Sequence, residues 1–436
     1  MKGIISMAKR LGRVPVSLTS RIESLREATD QIPRRASFAE FPEIRRLWAR
    51  GVELLDTPEE NPYYRLIEKV DGPLVVIDGE DLVNFASYDY LGLSEHPEVT
   101  KAASKAIEEF GLGTNASRIV SGQRPAHLHL EKTIANFMGF EDALAFVSGF
   151  GTNESVIGHL MGAQDLILID DQSHRSIREG ASLSGARVVR FRHNDCEDLR
   201  RNLELERGEA RRALIIVEGL YSMDGDIPDL ASLVELKNEF SCLLMVDEAH
   251  SLGVLGPTGR GISEMAEVPP SDIDIVMGTL SKTCGGCGGF VAGCQELIFY
   301  LRYTTPGFVF SVGMPPSLAS AAATAIEILD REPERVAKLR ANSKTFYEGL
   351  MAIGIQTETD PRTPIFPVVI GDSRSALSFS RSLEAQSIFA PPILHPAVPR
   401  DSARIRFFLS SSHTQDQIGT ALNAIHRSGM ESGIIS

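Results

Sequence analysis

Six short apolar runs alternate with stretches of helical periodicity through the middle of the chain. We interpret the runs as β-strands at residues 143–147, 166–169, 186–189, 214–217, 243–246 and 273–277. Where strands alternate with helices, each helix returns the chain to the same edge of the sheet, so the strands run parallel. The sequence therefore predicts an α/β fold whose large domain is a mostly parallel sheet flanked by helices.

This alternation does not cover the whole chain, and we divide the sequence into four parts. Residues 1–60 are polar and rich in arginine, and we expect a helical N-terminal extension there. Residues 61–104 contain a strand-like run at 74–77 and are predicted to join a smaller domain. Residues 105–315 form the predicted large domain. After Pro315-Pro316, residues 316–436 change to helical stretches and an α+β pattern, which predicts the smaller C-terminal domain.

Charge restricts the classes of partner. The 436 residues include 58 Asp+Glu against 44 Lys+Arg, a net charge of −14 that disfavours nucleic acid. Residues 1–50 differ, with 11 basic against 5 acidic residues. They form either a solvated helical face or a patch for a membrane surface or an acidic carrier protein. No apolar stretch approaches the ~20 residues of a membrane span and no signal peptide is recognisable, so the predicted location is the cytoplasm.

The five cysteines are odd in number and mostly lie in apolar or glycine-rich contexts, which predicts reduced thiols. Cys284 and Cys287 have the spacing of half a zinc site, but no second ligand pair accompanies them. We therefore predict that they pack as small residues beside Lys282, and we predict no metal site.

The residues that suggest chemistry follow two of the apolar runs. Asp247-Glu-Ala-His250 comes directly after residues 243–246, and Ser281-Lys282 follows residues 273–277. In an open α/β sheet ligands bind at the strand ends, so these side chains are expected to meet there. A carboxylate, an imidazole and an amine suit a cofactor with a basic ring nitrogen and an aldehyde. This combination indicates pyridoxal phosphate, with Lys282 as its Schiff-base lysine.

Each of these features also has a plainer interpretation. An Asp at a strand end often caps a helix, a Lys is usually solvated, and a glycine run is usually a turn. The string Asp-Glu-Ala-His also occurs in helicases, but those proteins need a phosphate loop that ends in Gly-Lys-Ser/Thr. No such loop occurs in this sequence.

Eight motifs extend the pattern over most of the chain, from about residue 84 to residue 413. They are FASYDYLGL (85–93), SRIVSG (117–122), SGFGTN (148–153), SH (173–174), EGLYSMDG (218–225), DEAH (247–250), TLSK (279–282) and MPP (314–316). In their order and separations they resemble the α-oxoamine synthase family of pyridoxal-phosphate enzymes. The resemblance implies pyridoxal 5'-phosphate as the cofactor and an aspartate-aminotransferase-like fold, known as fold type I.

The resemblance implies catalytic roles for four residues. Lys282 carries the cofactor and, once the amino acid displaces it, acts as the base at the α-carbon. Asp247 pairs with the protonated ring nitrogen. His250 hydrogen-bonds the cofactor's phenolic oxygen or the acyl carbonyl, and His174 stacks on the ring. The alternative for His174 is a helix-capping or surface histidine.

The resemblance also implies a set of binding residues. The cofactor phosphate is expected at the backbone of Gly149 and Phe150, where a strand leads into a helix. Further cofactor contacts are expected from Ser222, Thr279, Ser281 and, across the interface of a homodimer, Ser311. For the substrates, the expected contacts are Arg406 to the amino-acid carboxylate with Arg404 as the competing assignment, Glu218 to the substrate, and His395 and Pro396 at the acyl entrance.

The reaction implied by the resemblance is a decarboxylating Claisen-type condensation of glycine, alanine or serine with an acyl thioester, which gives an α-amino ketone. The amino-acid sequences at residues 113–118 and 282–289 favour lipid or polyketide biosynthesis and a long or carrier-borne acyl donor. The arginine-rich extension is a candidate contact for that acidic carrier or for an anionic membrane. The alternatives are another enzyme of the same fold group, such as an aminotransferase or a C–S lyase, and a non-catalytic synthase subunit.

Overall fold

The computed structural model describes residues 37–54, 61–357 and 359–435. Most of the predicted N-terminal extension, residues 1–36 and 55–60, therefore lies outside the described residues. Within the extension, helix α1 spans Pro42–Leu54, which agrees with the helical pattern expected there. Next come strands β1 (Ile67–Asp71), β2 (Leu74–Ile77) and β3 (Glu80–Asn84), then helices α2 (Pro97–Phe110) and α3 (Pro125–Met138).

The central sheet follows, and it contains seven strands among the described residues. They are β4 (Asp142–Phe146), β5 (Leu166–Asp170), β6 (Arg187–Phe191), β7 (Ala213–Glu218), β8 (Leu243–Asp247), β9 (Ile275–Thr279) and β10 (Gly289–Gly293). The helices between and after them are α4 (Gly149–Leu160), α5 (Arg175–Ser184), α6 (Cys196–Glu206), α7 (Leu230–Glu239), α8 (Ile262–Met265), α9 (Gln295–Thr304) and α10 (Pro306–Val309).

The strand order in this sheet is β4-β10-β9-β8-β7-β5-β6. Strands β9, β8, β7, β5 and β6 pair in parallel, which confirms the predicted α/β sheet and its six strands within about two residues. Strand β10 was not predicted, and it runs antiparallel to both β4 and β9. Its sequence GFVAG begins and ends with glycine, which is more typical of a loop than of a buried strand.

The sheet is covered on both faces, because consecutive side chains of a strand point to opposite sides. In β7, Ile215 lies in the larger apolar core, whereas Leu214 and Ile216 lie in the core on the other face. All six residues of β7 are buried. This continuous burial explains why the strand reads as an unbroken apolar run.

The C-terminal part contains a three-stranded sheet, one strand of a four-stranded sheet and the longest described helices. Its elements are α11 (Pro316–Arg331), α12 (Glu334–Ala352), β11 (Ile365–Gly371), α13 (Ser373–Glu384), β12 (Ile388–Phe389), β13 (Pro392–Ile393), β14 (Ala403–Phe408) and α14 (Gln415–Glu431). Strand β14 lies between β11 and β13, while β12 pairs with β3 of the N-terminal hairpins. Residues 67–84 are therefore hydrogen-bonded to the C-terminal part. The four-part division of the chain stays a prediction.

In the described part of the chain, no helix combines the length and apolar character needed to cross a bilayer.

Candidate active site

The carboxyl ends of the parallel strands bring the candidate residues to one edge of the central sheet. Glu218 is the last residue of β7, Asp247 the last of β8 and Thr279 the last of β9. Register pairs Glu218 directly with Asp247. Lys282 follows three residues after Thr279, so the two carboxyl groups and the amine occupy the edge where α/β sheets bind ligands.

Asp247 is buried, and both of its oxygens accept hydrogen bonds. The backbone N–H of Ala249 donates to Oδ1 at 2.9 Å, and the side-chain amide of Asn153 donates to Oδ2 at 2.7 Å. These two donors fix the carboxylate plane. Asn153 is part of a motif that carries the resemblance, but its sequence position in α4 gives no signal for this contact, because Asp247 lies 94 residues further along the chain.

Lys282 and Glu218 have shifted proton affinities. Burial lowers the pKa of the Lys282 amine to about 8, although Asp247 and Glu218 oppose this change. Burial and the neighbouring Asp247 raise the pKa of Glu218 to about 8, while the backbone N–H of His174 donates to its Oε1. Burial therefore favours the protonated form of Glu218 and the neutral form of Lys282 relative to the same groups in water.

His174 combines the two interpretations that the sequence left open. It is the N-cap of α5, and its Nδ1 accepts from the backbone N–H of Ser176 at 3.3 Å, so the capping interpretation is confirmed. The same ring packs nearly perpendicular to the ring of Phe150, with centroids 6.1 Å apart. His174 thus caps α5 and also contacts Phe150, so it remains a candidate site residue.

His250 is buried beside two tyrosines that the sequence interpretation did not assign to the site. The Tyr90 hydroxyl lies 2.8 Å from His250 Nδ1, and the Tyr88 ring meets the imidazole edge-on at 5.8 Å. Burial lowers the pKa of His250 well below its usual range, and the nearby Lys282 and Arg406 add to this effect. The FASYDYLGL motif was the available signal for both tyrosines, because it places them two residues apart on one loop.

The start of α4 is the candidate phosphate site. Ser148 is the N-cap, and its Oγ accepts from the N–H of Gly151 at 3.2 Å. A Cβ on Gly149 would lie 2.6 Å from Thr279 Oγ1, so the close approach of α4 to β9 requires glycine. The Thr279 and Ser281 hydroxyls are 2.7 Å apart, which places two further hydroxyl groups at this helix N-terminus.

The two arginines of β14 have different partners. Arg404 Nη1 donates to Asp224 Oδ1 at 2.5 Å and forms an ion pair there. Arg406 forms no ion pair among the described residues; its Nη1 donates to the Ser222 carbonyl at 2.6 Å, and its Nε has no acceptor. Arg406 Nη2 also lies 3.4 Å from the Tyr88 hydroxyl. Arg406 is therefore the arginine with donors available for a carboxylate.

A cavity of about 870 Å³ opens beside Lys282. The lysine, Tyr88 and Ser281 line the cavity, and the Lys282 Nζ lies 5.9 Å from the centre of the Tyr88 ring. Ile67 and Val70 of β1 and Phe389 of β12 also line it. The cavity therefore connects the amine to the apolar side of the N-terminal hairpins.

Two groups of expected site residues lie apart from this cluster in the described chain. The Ser311 hydroxyl donates to the Val312 carbonyl at 3.3 Å and contacts none of the other site residues. His395 Nδ1 lies 3.2 Å from the Val398 carbonyl, across a cis His395-Pro396 bond, and it too has no described contact with the cluster. The expected place of His395 and Pro396 at the acyl entrance stays a prediction.

The five cysteines are free thiols, as predicted. Cys284 is buried, and burial raises the pKa of its thiol to about 12. Cys287 is exposed, so the packing prediction holds for Cys284 and is wrong for Cys287 in the single chain. Between the two thiols Gly285 turns the chain with a positive φ of 62°.

The chain is similar to known proteins over most of its length. Residues 80–425 match the family described as aminotransferase class I and II. The 8-amino-7-oxononanoate synthase of Thermoanaerobacter pseudethanolicus is 40% identical over 370 residues, which cover 85% of this chain and 93% of the relative. That of Geotalea daltonii is 41% identical over 372 residues, covering 85% and 94%. The solved structure of Sphingomonas wittichii serine palmitoyltransferase superposes with a TM-score of 0.88 at 33% identity, covering 92% of this chain and all of that one.

Proposed function

The chain belongs to the α-oxoamine synthases of the aminotransferase class I and II family, and from this premise we propose that it is a pyridoxal-phosphate-dependent acyltransferase. The proposed reaction condenses a small α-amino acid with an acyl thioester, with loss of carbon dioxide, to give an α-amino ketone. The observation that carries the proposal is the convergence of Lys282, Asp247 and Glu218 at one sheet edge.

The residues present fit pyridoxal phosphate. Asp247 is a buried carboxylate that is held by two donors, and no cationic side chain among the described residues forms a hydrogen bond with it. It is therefore available to pair with a protonated ring nitrogen. The α4 N-terminus with Thr279 and Ser281 offers backbone and hydroxyl donors for a phosphate. When bound, the cofactor supplies an aldehyde that takes up the amino acid and a ring that withdraws electrons from its α-carbon.

The proton chemistry of the site follows from the paired pKa shifts. With its pKa near 8, the Lys282 amine is a base of suitable strength for the α-proton at neutral to slightly alkaline pH. Because Glu218 keeps its proton below about pH 8, a single negative charge, that of Asp247, faces the ring site. We propose that Glu218 is an uncharged carboxyl group beside Asp247 and that it contacts the substrate.

Arg406 and Tyr88 are suited to hold the amino acid. The Ser222 carbonyl fixes one end of the Arg406 guanidinium, while Nη2 lies 3.4 Å from the Tyr88 hydroxyl and can donate to a substrate carboxylate. Tyr88 lies between Arg406 and Lys282 and contacts both. A bound amino acid would therefore have its carboxylate at Arg406 and its α-carbon toward Lys282.

The names of the relatives restrict the substrate class. An 8-amino-7-oxononanoate has an amino group next to a carbonyl group, and serine palmitoyltransferase joins serine to a palmitoyl chain. We propose that the acyl chain of the donor enters by the 870 Å³ cavity, because Ile67, Val70 and Phe389 give its lining apolar surface. The choice among glycine, alanine and serine is left to the titration below.

We propose a homodimer in which Ser311 of each chain reaches the phosphate site of its partner. Phe310 is 86% exposed and Val312 is 53% exposed on either side of Ser311, and such apolar exposure supports an interface. We also propose that residues 1–55 contact a carrier protein or an anionic membrane and that the protein works in the cytoplasm. If deletion of residues 1–55 leaves turnover with acyl-carrier and acyl-CoA donors unchanged, the docking proposal is wrong.

The first experiment is an absorption titration of purified protein that has been supplied with pyridoxal phosphate. We expect a visible cofactor band that shifts saturably with one of glycine, alanine or serine. In Lys282→Ala the band of the unliganded protein should be absent, while Lys344→Ala, which removes an exposed lysine of α12, should keep it.

Product analysis completes this test. Formation of an α-amino ketone with release of carbon dioxide and thiol supports the condensation. A keto acid with pyridoxamine phosphate would instead identify an aminotransferase. Failure of the wild-type protein to develop any cofactor band would contradict the catalytic proposal as a whole.

A further inference from the structure

A chain of side-chain hydrogen bonds joins His174 to Asp247. His174 Nδ1 lies 2.8 Å from Ser176 Oγ, the Asn153 amide donates to Ser176 Oγ at 3.0 Å, and the same amide nitrogen donates to Asp247 Oδ2 at 2.7 Å. Asn153 and Ser176 are buried, at 0% and 1% exposure. The chain therefore connects two residues of the proposed site through Asn153, which was described above as a donor to Asp247, and through Ser176.

The chemistry of the partners fixes the direction of the two bonds that Asn153 makes. The Asp247 carboxylate accepts, so the NH₂ group of Asn153 must face it, because a flipped amide would place two acceptors 2.7 Å apart. The second hydrogen of that NH₂ group goes to Ser176 Oγ. The Ser176 hydroxyl then has its own hydrogen available for His174 Nδ1, which already accepts the backbone N–H of Ser176.

From this geometry we infer that Asn153 and Ser176 are positioning residues that hold His174 in its neutral Nε2–H tautomer while they fix Asp247. The backbone N–H and the hydroxyl of Ser176 both lie beside Nδ1, so a proton on Nδ1 would face the N–H and would leave the hydroxyl hydrogen without this acceptor. The positive end of α5, which His174 caps, further disfavours an imidazolium. His174 therefore presents an N–H donor, and not an acceptor, on the side away from α5.

The charged groups around His174 lie on several elements. Burial lowers the pKa of His174, and Lys282, Arg178 and Arg406 act in the same direction, while Asp247 opposes them. Glu218 reaches the backbone N–H of His174 and not its ring. The balance favours the neutral form, in agreement with the hydrogen-bond directions.

Nitrogen-15 NMR of histidine-labelled protein tests the inference on the cofactor-free chain, so the result does not depend on catalysis. The resonances of His174 are assigned by their loss in His174→Ala. At pH 7 we expect the shifts of a neutral Nε2–H imidazole. In Ser176→Ala, and separately in Asn153→Ala, the ratio of the two tautomers should move about fivefold toward Nδ1–H, the equivalent of one neutral hydrogen bond.

Ser184→Ala is the matched control, because it removes a serine hydroxyl from the other end of α5, where Ser184 donates to the Ala181 carbonyl. It should leave the His174 shifts unchanged. An Nδ1–H or charged His174 in the wild-type protein would overturn the inference. Unchanged tautomer ratios in both Ser176→Ala and Asn153→Ala would do the same. The proposed function is tested separately by the absorption titration. The tautomer inference can therefore be wrong while the proposed function is right, and the reverse.

Discussion

At the scale of single residues, Arg404 and Arg406 show how similar side chains acquire different roles. They lie two positions apart on β14, which places both on the same face of the strand. Arg404 is ion-paired with Asp224, whereas the described residues offer Arg406 no carboxylate. A buried cation without a counter-ion is costly to keep, so we expect that an anionic substrate completes the site.

Substitution of these arginines should separate binding from stability. We expect Arg406→Gln to raise the KM for the amino acid by about 100-fold, which corresponds to the loss of a charge-assisted pair, with little decrease in Tm. Arg404→Gln should lower Tm, because it leaves Asp224 unpaired, and should change KM much less. Steady-state kinetics and calorimetry measure both effects. The assignment would be wrong if the large KM effect appeared in Arg404→Gln.

At the scale of elements, the start of α4 depends on how closely it approaches β9. Gly149 and Gly151 both lie in the first turn, but their surroundings differ. A Cβ on Gly149 would meet the buried Thr279 at 2.6 Å, whereas one on Gly151 would lie 3.5 Å from the nearest atom, an ordinary contact. The first glycine is thus required by packing at the candidate phosphate site.

We therefore expect Gly149→Ala to push α4 away from β9 and to weaken pyridoxal phosphate binding by at least about tenfold, a cost typical of a forced backbone shift. Gly151→Ala should change the dissociation constant by less than about threefold, since the new methyl group has room. Absorbance titration with the cofactor gives both constants. Equal losses in the two variants would argue against a role for the close approach.

At the scale of the whole molecule, the site of one chain lacks a contribution from Ser311, which lies between exposed apolar residues. Mixed dimers test whether a second chain supplies it. Lys282→Ala and Ser311→Glu should each be inactive by themselves. When they are mixed, half of the dimers carry both variants and each of these has one intact site, so about a quarter of wild-type activity should return.

The control for this experiment mixes Lys282→Ala with Asp247→Ala. Both changes lie in the same chain's own cluster, so no dimer has an intact site and activity should stay absent. Recovery of activity in the control mixture, or no recovery of activity in the test mixture, would contradict a shared site.

The parts of this molecule that the sequence predicts are those encoded locally. Asp247 and Lys282 follow apolar runs, and such runs end where a buried strand reaches the sheet edge. Asn153 could not be assigned in the same way, because its partner is distant in sequence and a polar residue on a helix is usually solvated. Strand β10 was not predicted, because its two glycines are typical of a turn. Its conformation depends instead on burial between β4 and β9, which are distant from each other in sequence.

The antiparallel pairing of β10 with β9 affects how fast Lys282 can move. The segment that carries Lys282 leaves β9 and returns in β10, and the N–H of Leu280 donates to Gly288 while that of Gly286 donates to Leu280. A loop closed at both ends has little conformational entropy left to lose. We therefore expect the lysine to leave and regain its place by side-chain rotation above a fixed backbone, a motion that is fast beside catalytic turnover.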